Sequence, residues 1–191
     1  MIWILIAIIF GSVALDQLTK WLAVVYLQPE GAEGAFRLWE NVLHLTYVKN
    51  EGAAFGMLAD HRWVFMIFST VAIIGLSIYL FGFSKDTRWV KISLAMIIGG
   101  GIGNMIDRVL LGYVIDFIDF TLINFAVFNV ADSFVTVGAF MLIGYFIKDF
   151  IVELRAPKNG EPTVVDASME DGKTVEANGE EAHDEPDNGE S

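Results

Sequence analysis

Four long apolar runs constrain the fold of this chain more than any other feature of its sequence. They cover residues 1–27, 63–83, 90–111 and 129–147, close to the roughly 20 residues with which an α-helix crosses a bilayer. Hydrophobic residues make up 54% of the 191 positions, as expected of an integral membrane protein. The sequence therefore predicts an all-α membrane protein with four transmembrane helices.

The polar interval between the first two runs has the pattern of a small sheet. Within this outer loop, residues 28–62, the side chains of Leu43, Leu45 and Tyr47 alternate with His44 and Thr46, which is typical of a half-buried strand. Residues 50–56 read NEGAAFG, a composition typical of a tight turn. We expect a small extracytoplasmic β-sheet between helices one and two, lying on the membrane surface.

Charge divides the chain into two parts. Residues 1–150 carry 9 Lys and Arg against 12 Asp and Glu, whereas residues 151–191 carry 3 against 12. The second part is rich in Asp, Glu, Gly and Asn and has few large apolar residues, a composition typical of disorder. The sequence predicts a four-helix transmembrane domain over residues 1–152 and an acidic, disordered cytoplasmic tail over residues 153–191.

Basic residues set the expected orientation in the membrane, because short cytoplasmic segments carry an excess of Lys and Arg. The turn after the second run and the segment after the fourth are both basic, through Lys85, Arg88, Lys91, Lys148, Arg155 and Lys158. The connection over residues 112–128 has no Lys or Arg. We expect both termini in the cytoplasm and the 28–62 and 112–128 connections outside.

Composition also excludes several classes of function. The chain has no cysteine, which excludes disulfides, thiolate catalysis and zinc–thiolate sites. Its three histidines, His44, His61 and His183, are scattered and do not form the i, i+4 pair of a helical metal site. A net charge of −12 without a basic stripe argues against nucleic acid. We expect no metal, no cofactor and no nucleic-acid partner.

Polar side chains concentrate in one stretch, residues 99–133. An ionisable group beside lipid costs on the order of several kcal/mol unless it finds a partner or water, so such a cluster indicates a functional site. The cluster comprises Asn104, Asp107, Arg108, Asp116, Asp119, Asn129 and Asp132. The glycine-rich run at residues 99–103 favours close helix packing over phosphate binding, because no strand precedes it.

The first apolar run carries its own ionisable pair. Asp16 and Lys20 are four residues apart, so they share one helix face and can form an ion pair. At about 1.5 Å per residue, Asp16 and Asn104 lie about 21 Å from the inner ends of their helices, and Asp132 lies about 5 Å below the outer start of the fourth. This convergence on the outer third of the bilayer favours an enzyme over an ion path through the midplane. A purely structural ion pair is the alternative for Asp16 and Lys20.

Asp116 and Asp132 are the carboxylates best placed for catalysis, in the outer connection and at the start of the fourth helix. Two neighbouring carboxylates do not both ionise readily. The ionised one can therefore activate water for amide hydrolysis, while the protonated one polarises the carbonyl and protonates the leaving nitrogen. The helix N-terminus favours ionised Asp132, which we assign as the base. Asp119 is a rival to Asp116, and Asp132 also has the spacing of a capping box with Asn129.

These residues lie in motifs that resemble those of bacterial lipoprotein signal peptidase, also called signal peptidase II. Five blocks match in order over roughly residues 10–150: DQLTK at 16–20, KNEGAAFG at 49–56, GNMIDRV at 103–109, VIDF at 114–117 and FNVADS at 128–133. The resemblance implies an aspartic endopeptidase that removes signal peptides from prolipoproteins on the N-terminal side of a diacylglyceryl-modified cysteine. It further implies the bacterial inner membrane, an active site at the outer face, and inhibition by the cyclic peptide globomycin.

The resemblance also implies roles for individual residues. Asp116 and Asp132 are the catalytic pair, and the residues that bind substrate or support the site are Asp16, Lys20, Asn50, Gly52, Asn104, Asp107, Arg108 and Asn129. The expected partners are lipid-modified prolipoproteins and membrane lipid, and the enzyme is expected to act as a monomer. The resemblance implies no cofactor.

Two other classes of function compete with the protease. A small polytopic carrier coupled to protons or ions would change its ion flux on substitution of Asp16 or Asp107. A noncatalytic membrane assembly factor, held together by polar helix contacts, would keep its function after Asp116→Asn.

Overall fold

The computed structural model describes residues 1–28, 36–51, 62–83 and 86–155. Gly52, which the resemblance places in the site, lies outside these described residues, as do residues 156–191 of the predicted tail. The described part of the chain is mostly helical, with one small antiparallel sheet.

In the described ranges, four α-helices occupy the predicted apolar runs. They are α1 (Ile2–Tyr26), α2 (Arg62–Ile78), α3 (Arg88–Leu110) and α4 (Val130–Arg155), and a π-helical segment, Tyr79–Phe83, extends α2. Among the described residues, α1, α3 and α4 are long and apolar enough to cross a membrane, whereas the apolar stretch Met66–Gly82, which runs from α2 into the π-helical segment, is shorter. The structure thus confirms a mostly helical fold with three long apolar helices.

The fourth helix is longer than the sequence predicts. The apolar run ends near residue 147, but α4 continues to Arg155 and takes in residues 153–155, which the sequence places in the disordered tail. Lys148, Asp149 and Glu153 are exposed residues in these turns, so the first charged residues mark the end of the uninterrupted apolar run and not the end of the helix.

The sheet extends beyond the loop to which the sequence assigns it. Strand β1 (Phe36–Trp39) pairs with β2 (Leu43–Asn50), which confirms the strand predicted from the alternation of residues 43–47. The third strand, β3 (Val114–Asp119), comes from the connection between α3 and α4 and pairs antiparallel with β2. The expectation of a sheet confined between the first two helices was therefore incomplete. The first four residues of β3 are all buried, so β3 lacks the polar–apolar alternation that reveals a half-exposed strand.

Helix α3 lies against the other three helices, and its glycines permit the close approach. A Cβ atom built at Gly103 would lie 2.6 Å from Oδ2 of Asp16 on α1, and one at Gly99 would collide with Oγ of Ser12. A Cβ at Gly100 would collide with the backbone carbonyl of Ala131 on α4. The structure confirms that this glycine run serves helix packing, and it brings the polar residues of α1, α3 and α4 into contact.

Two apolar clusters hold this arrangement. One joins α1, the π-helical segment and α3 through residues that include Leu5, Leu80 and Ile98. The other, which includes Ala23 and Phe117, packs the end of α1 against the sheet. Six of the polar residues that the sequence singles out, Asp16, Lys20, Asn104, Asp107, Asp116 and Asn129, are buried.

Candidate active site

The start of α4 positions Asp132. The backbone N–H of Asp132 donates to Oδ1 of Asn129 at 2.9 Å, and the backbone N–H of Asn129 donates to Oδ2 of Asp132 at 3.2 Å. This reciprocal pair is a capping box, in which each side chain satisfies a backbone donor at the helix start. The predicted capping role is confirmed. It fixes the Asp132 carboxylate at the N-terminus of a helix, where the dipole favours negative charge.

The third strand positions Asp116, whose side chain is 2% exposed. Nδ2 of Asn50, at the end of β2, donates to its Oδ2 at 2.9 Å, and Nδ2 of Asn129 donates to its Oδ1 at 2.6 Å. Both donors are neutral amides. Asp116 is therefore held in one orientation by side chains from β2 and from the cap of α4, far from it in sequence.

Asparagine side chains join the two aspartates into one group. Asn129 contacts both carboxylates, since its side-chain amide donates to Asp116 and its backbone N–H donates to Asp132. Asn104 on α3 donates to Oδ1 of Asp132 at 2.7 Å and accepts from Nδ2 of Asn129 at 3.0 Å. Two carboxylates that lie 16 residues apart in the chain thus share a single network of amides.

Both carboxylates line the same cavity. Its volume is about 490 Å³, and its described lining combines Asn50, Asp116, Asp132, Ser133 and Thr136 with the apolar side chains of Phe125, Ala126, Val127, Phe128 and Val137. Asp119, the rival candidate, is not among these described lining residues. It lies three positions after Asp116 at the end of β3, opposite His44, and side chains three apart in a strand point to opposite faces.

Burial controls the protonation of Asp116. Removal from water raises the pKa of Asp116 to about 6, the nearby charge of Asp132 acts in the same direction, and the hydrogen bonds from Asn50 and Asn129 oppose the increase. One carboxyl of the pair therefore retains its proton more readily than an exposed aspartate does.

A second buried cluster lies next to this pair and contains most of the remaining predicted residues. Nζ of Lys20 lies 2.9 Å from Oδ2 of Asp16 and 2.9 Å from Oδ2 of Asp107, and it donates to Oδ1 of Asn104 at 2.8 Å. The predicted Asp16–Lys20 ion pair is confirmed, with Asp107 as a second carboxylate. Buried charges require such pairing because an isolated one is costly in a medium of low dielectric constant.

The guanidinium of Arg108 completes the group. Its Nη1 donates to the backbone carbonyl of Asn104 at 3.4 Å, and the charge of Arg108 lies within electrostatic reach of Asp132, Asp116 and Asp107. Among the described residues, no group of three His, Cys, Asp or Glu side chains is arranged to hold a metal ion. The site therefore offers carboxylates, amides and two cations as its chemical groups.

One residue of this site was missed at the sequence level. Nε2 of Gln17 donates to Oδ1 of Asp107 at 2.9 Å, to the carbonyl of Gly103 at 3.2 Å and to Oδ2 of Asp16 at 3.3 Å. A signal was present, because Gln17 is a polar residue within an apolar run, as are Asp16 and Lys20. The i, i+4 spacing that pairs Asp16 with Lys20 did not reveal the role of Gln17, because residues adjacent in sequence point about 100° apart on a helix.

A comparison with known protein families shows the family to which this chain belongs. The family model described as signal peptidase (SPase) II matches residues 8–148. The chain belongs to the signal peptidase II family. The match covers every described residue of the aspartate pair and of the buried cluster beside it.

Relatives of this signal peptidase II chain agree with that assignment. It is 49% identical to a lipoprotein signal peptidase of Caldanaerobacter subterraneus subsp. tengcongensis over 142 residues, which are 74% of this chain and 94% of the relative. It is 40% identical to that of Streptococcus pneumoniae over 149 residues, which are 78% of this chain and 95% of the relative. A solved structure described as a bacterial membrane enzyme has a TM-score of 0.72 and 29% identity, covering 85% of this chain and 95% of that one.

Membership in this family shows the general function of the chain. The chain is a protease that cleaves the signal peptides of lipoproteins, and its apolar helices make it a multi-pass protein of the bacterial inner membrane. A carrier or a noncatalytic assembly factor is not favoured.

Proposed function

We propose that this signal peptidase II is an aspartic endopeptidase whose catalytic pair is Asp116 and Asp132. The observation that carries the proposal is that both carboxylates line one cavity and that both bind Asn129. A water molecule or a peptide bond in that cavity has access to both groups. No described Ser, Cys or His arrangement at the cavity offers a competing nucleophile and base.

The two carboxylates have different parts in the proposed mechanism. Asp132, at the helix N-terminus, is ionised and accepts a proton from the attacking water. Asp116, whose pKa burial raises to about 6, keeps its proton, polarises the scissile carbonyl and then protonates the leaving nitrogen. A bound apolar substrate excludes water from the cavity and so favours the protonated form further. A coupled pair titrates as a unit, so these roles describe its resting state.

The proposed substrate is a prolipoprotein that already carries a diacylglyceryl group on the cysteine after the scissile bond. The apolar side chains of the cavity, such as Phe125 and Val137, provide surface for a signal peptide or for acyl chains. Membrane lipid is the second proposed partner, since exposed apolar side chains such as Phe68 and Phe140 cover the outer faces of the helices. A monomer suffices, because one chain supplies both aspartates.

We also propose four membrane spans with both termini in the cytoplasm. Helix α2 and the π-helical segment together run over 22 residues, 17 in Arg62–Ile78 and 5 in Tyr79–Phe83. At about 1.5 Å per residue they reach about 33 Å, enough for a hydrocarbon core of about 30 Å. With the basic turn at residues 85–91 inside, the sheet and the aspartate pair lie at the outer face.

Separate Asp116→Asn and Asp132→Asn variants test the catalytic pair on a lipid-modified precursor in detergent. Each should lose nearly all activity while still eluting as folded protein. Asp119→Asn is the matched control and should retain activity. An active Asp116→Asn enzyme, or an inactive Asp119→Asn enzyme beside it, would contradict the assignment.

A further inference from the structure

Two buried carboxylates outside the proposed catalytic pair hold the backbone next to it. Oδ1 of Asp16 accepts the N–H of Ala131 at 2.9 Å, and Ala131 directly precedes Asp132. Oδ2 of Asp107 accepts the N–H of Ile115 at 3.1 Å, and Ile115 directly precedes Asp116. Each carboxylate therefore fixes, through one hydrogen bond, the main chain immediately before one proposed catalytic residue. We refer to these two hydrogen bonds as the backbone clamps.

Lys20 and Gln17 connect the two clamps. The Lys20 ammonium contacts Oδ2 of both Asp16 and Asp107. Nε2 of Gln17 donates to Oδ1 of Asp107 at 2.9 Å and to Oδ2 of Asp16 at 3.3 Å. Every oxygen of the two clamping carboxylates thus has a donor, and Gln17 is the donor to Oδ1 of Asp107.

We propose that Gln17 is a positioning residue, which joins the two backbone clamps and so fixes the separation of the Asp116 and Asp132 carboxyls. The proposal rests on the catalytic pair proposed above. Gln17 is not among the described residues that line the cavity, so it acts on the pair through Asp16 and Asp107 and not through substrate.

Charge explains why a neutral amide occupies this position. The cluster already has two almost completely buried carboxylates, Asp16 and Asp107, against the Lys20 ammonium. The charge of Arg108 also reaches Asp107, but it is shared with Asp116 and Asp132. A third carboxylate would add an uncompensated buried charge, and an apolar side chain would leave Oδ1 of Asp107 without this donor. The side-chain amide of Gln17 donates a hydrogen bond without changing the net charge of the cluster. Gln17 also donates to the carbonyl of Gly103 at 3.2 Å, which ties α1 to α3 at this level.

Loss of the connection should act on the geometry of the pair. The clamps hold β3 and α4, which are joined by the ten residues 120–129 and by backbone hydrogen bonds between Ile118 and Phe128, so their relative position depends in part on such contacts. Misplacement of reacting groups by about 1 Å can reduce a rate about 100-fold. Like charges repel, so a looser pair should separate, and the charge of Asp132 should then raise the pKa of Asp116 less.

Gln17→Leu and Gln17→Glu test the proposal, with Thr19→Val as the matched control on the same helix. The Thr19 hydroxyl donates only to backbone carbonyls of α1 in the described structure, at 2.9 Å. In Gln17→Leu, kcat per folded enzyme should fall about 10- to 100-fold with KM within about threefold, and the alkaline limb of the kcat profile should move to lower pH. Thr19→Val should keep both constants and the profile.

Gln17→Glu provides a second measurement if Gln17→Leu folds poorly. A protonated Glu side chain can still donate to Asp107, whereas the ionised form repels both clamping carboxylates. The ratio of its kcat to that of the parent enzyme should therefore fall as pH rises. A ratio that is constant with pH would overturn the proposal, as would a Gln17→Leu enzyme with unchanged kcat and pH profile in its folded fraction. Neither result would contradict the proposed catalytic pair. Full activity of Asp116→Asn and Asp132→Asn would contradict the pair itself.

Discussion

Replacing Asp116 with asparagine should change how the stability of this enzyme depends on pH. In the folded protein the pKa of Asp116 is about 6, compared with an ordinary value of 3.8. Its folded pKa is raised, so the carboxyl is protonated in both the folded and the unfolded state well below pH 4, and above pH 6 the buried carboxylate must ionise at a cost. The difference of about 2.2 pKa units corresponds to about 3 kcal/mol of destabilisation, since one unit is worth about 1.4 kcal/mol.

An asparagine at position 116 cannot ionise, so the variant does not carry this cost. The free energy of unfolding of Asp116→Asn, minus that of the parent, should increase by about 2 kcal/mol between pH 4 and pH 7 and then stay level. The remainder of the difference develops below pH 4. The absolute offset depends on how the amide fits between Asn50 and Asn129, whereas the change with pH follows mainly from the loss of the ionisable group at position 116.

Reversible unfolding in mixed detergent micelles, measured from pH 4 to pH 8, checks this prediction. Thr19→Val is the control, because it removes no ionisable group and its difference from the parent should be independent of pH. A difference for Asp116→Asn that is flat across this range would show that Asp116 ionises normally in the folded protein. A decrease with rising pH would show that the folded state favours the carboxylate. Either result would remove the basis for Asp116 as the proton-bearing partner.

Three further predictions follow from the packing, the cap and the tail. Gly103→Ala should destabilise the fold by about 1–3 kcal/mol in the same unfolding assay, because its Cβ would lie 2.6 Å from a buried carboxylate oxygen, whereas Gly144→Ala, with nothing within 4 Å, should not. Asn129→Ala should cost more than the about 1 kcal/mol of a lost cap, because its buried amide also donates to Asn104, Ile115 and Asp116, and should reduce kcat at least about 100-fold; Asn129→Ser should recover only the cap contribution and not kcat, since serine caps the helix without reaching Asp116. A chain ending at Lys158 should process precursor at the parental rate, and reduced kcat there would assign a role to the acidic tail.

Much of the site was predictable because its residues obey local spacing rules. The Asp16–Lys20 ion pair follows from the i, i+4 geometry of a helix, and the contact between Asn129 and Asp132 follows from the N-cap and N3 positions of a capping box. The helix positions follow from the lengths of the apolar runs. In each case the physical cause lies within a single element.

Contacts between elements were harder to predict. Strand β3 is buried on both faces, so its residues show neither alternation nor a long run, and only its pairing with β2 reveals it as a strand. Gln17 lies beside Asp16 in sequence, but its amide reaches Asp107 on α3, a contact that depends on the glycines that bring α1 and α3 together. The continuation of α4 from residue 147 to Arg155 depends on helix propensity after the uninterrupted apolar run stops.

The placement of cations and amides around four carboxylates, of which Asp16, Asp107 and Asp116 are buried and Asp132 is half-buried, explains how two of them can serve as an acid and a base. Asp16 and Asp107 contact the Lys20 ammonium directly, which offsets part of the cost of burying their charge and suits them to a structural role. The proposed catalytic pair receives neutral amide donors from Asn50, Asn104 and Asn129, and Lys20 is joined to Asp132 through Asn104. A direct ammonium contact to Asp116 would favour its ionised form and remove the proton that the leaving nitrogen requires. The amides orient both carboxylates and lower the pKa of Asp116 only in part, so burial, with the negative charge of Asp132, still keeps that pKa above its ordinary value.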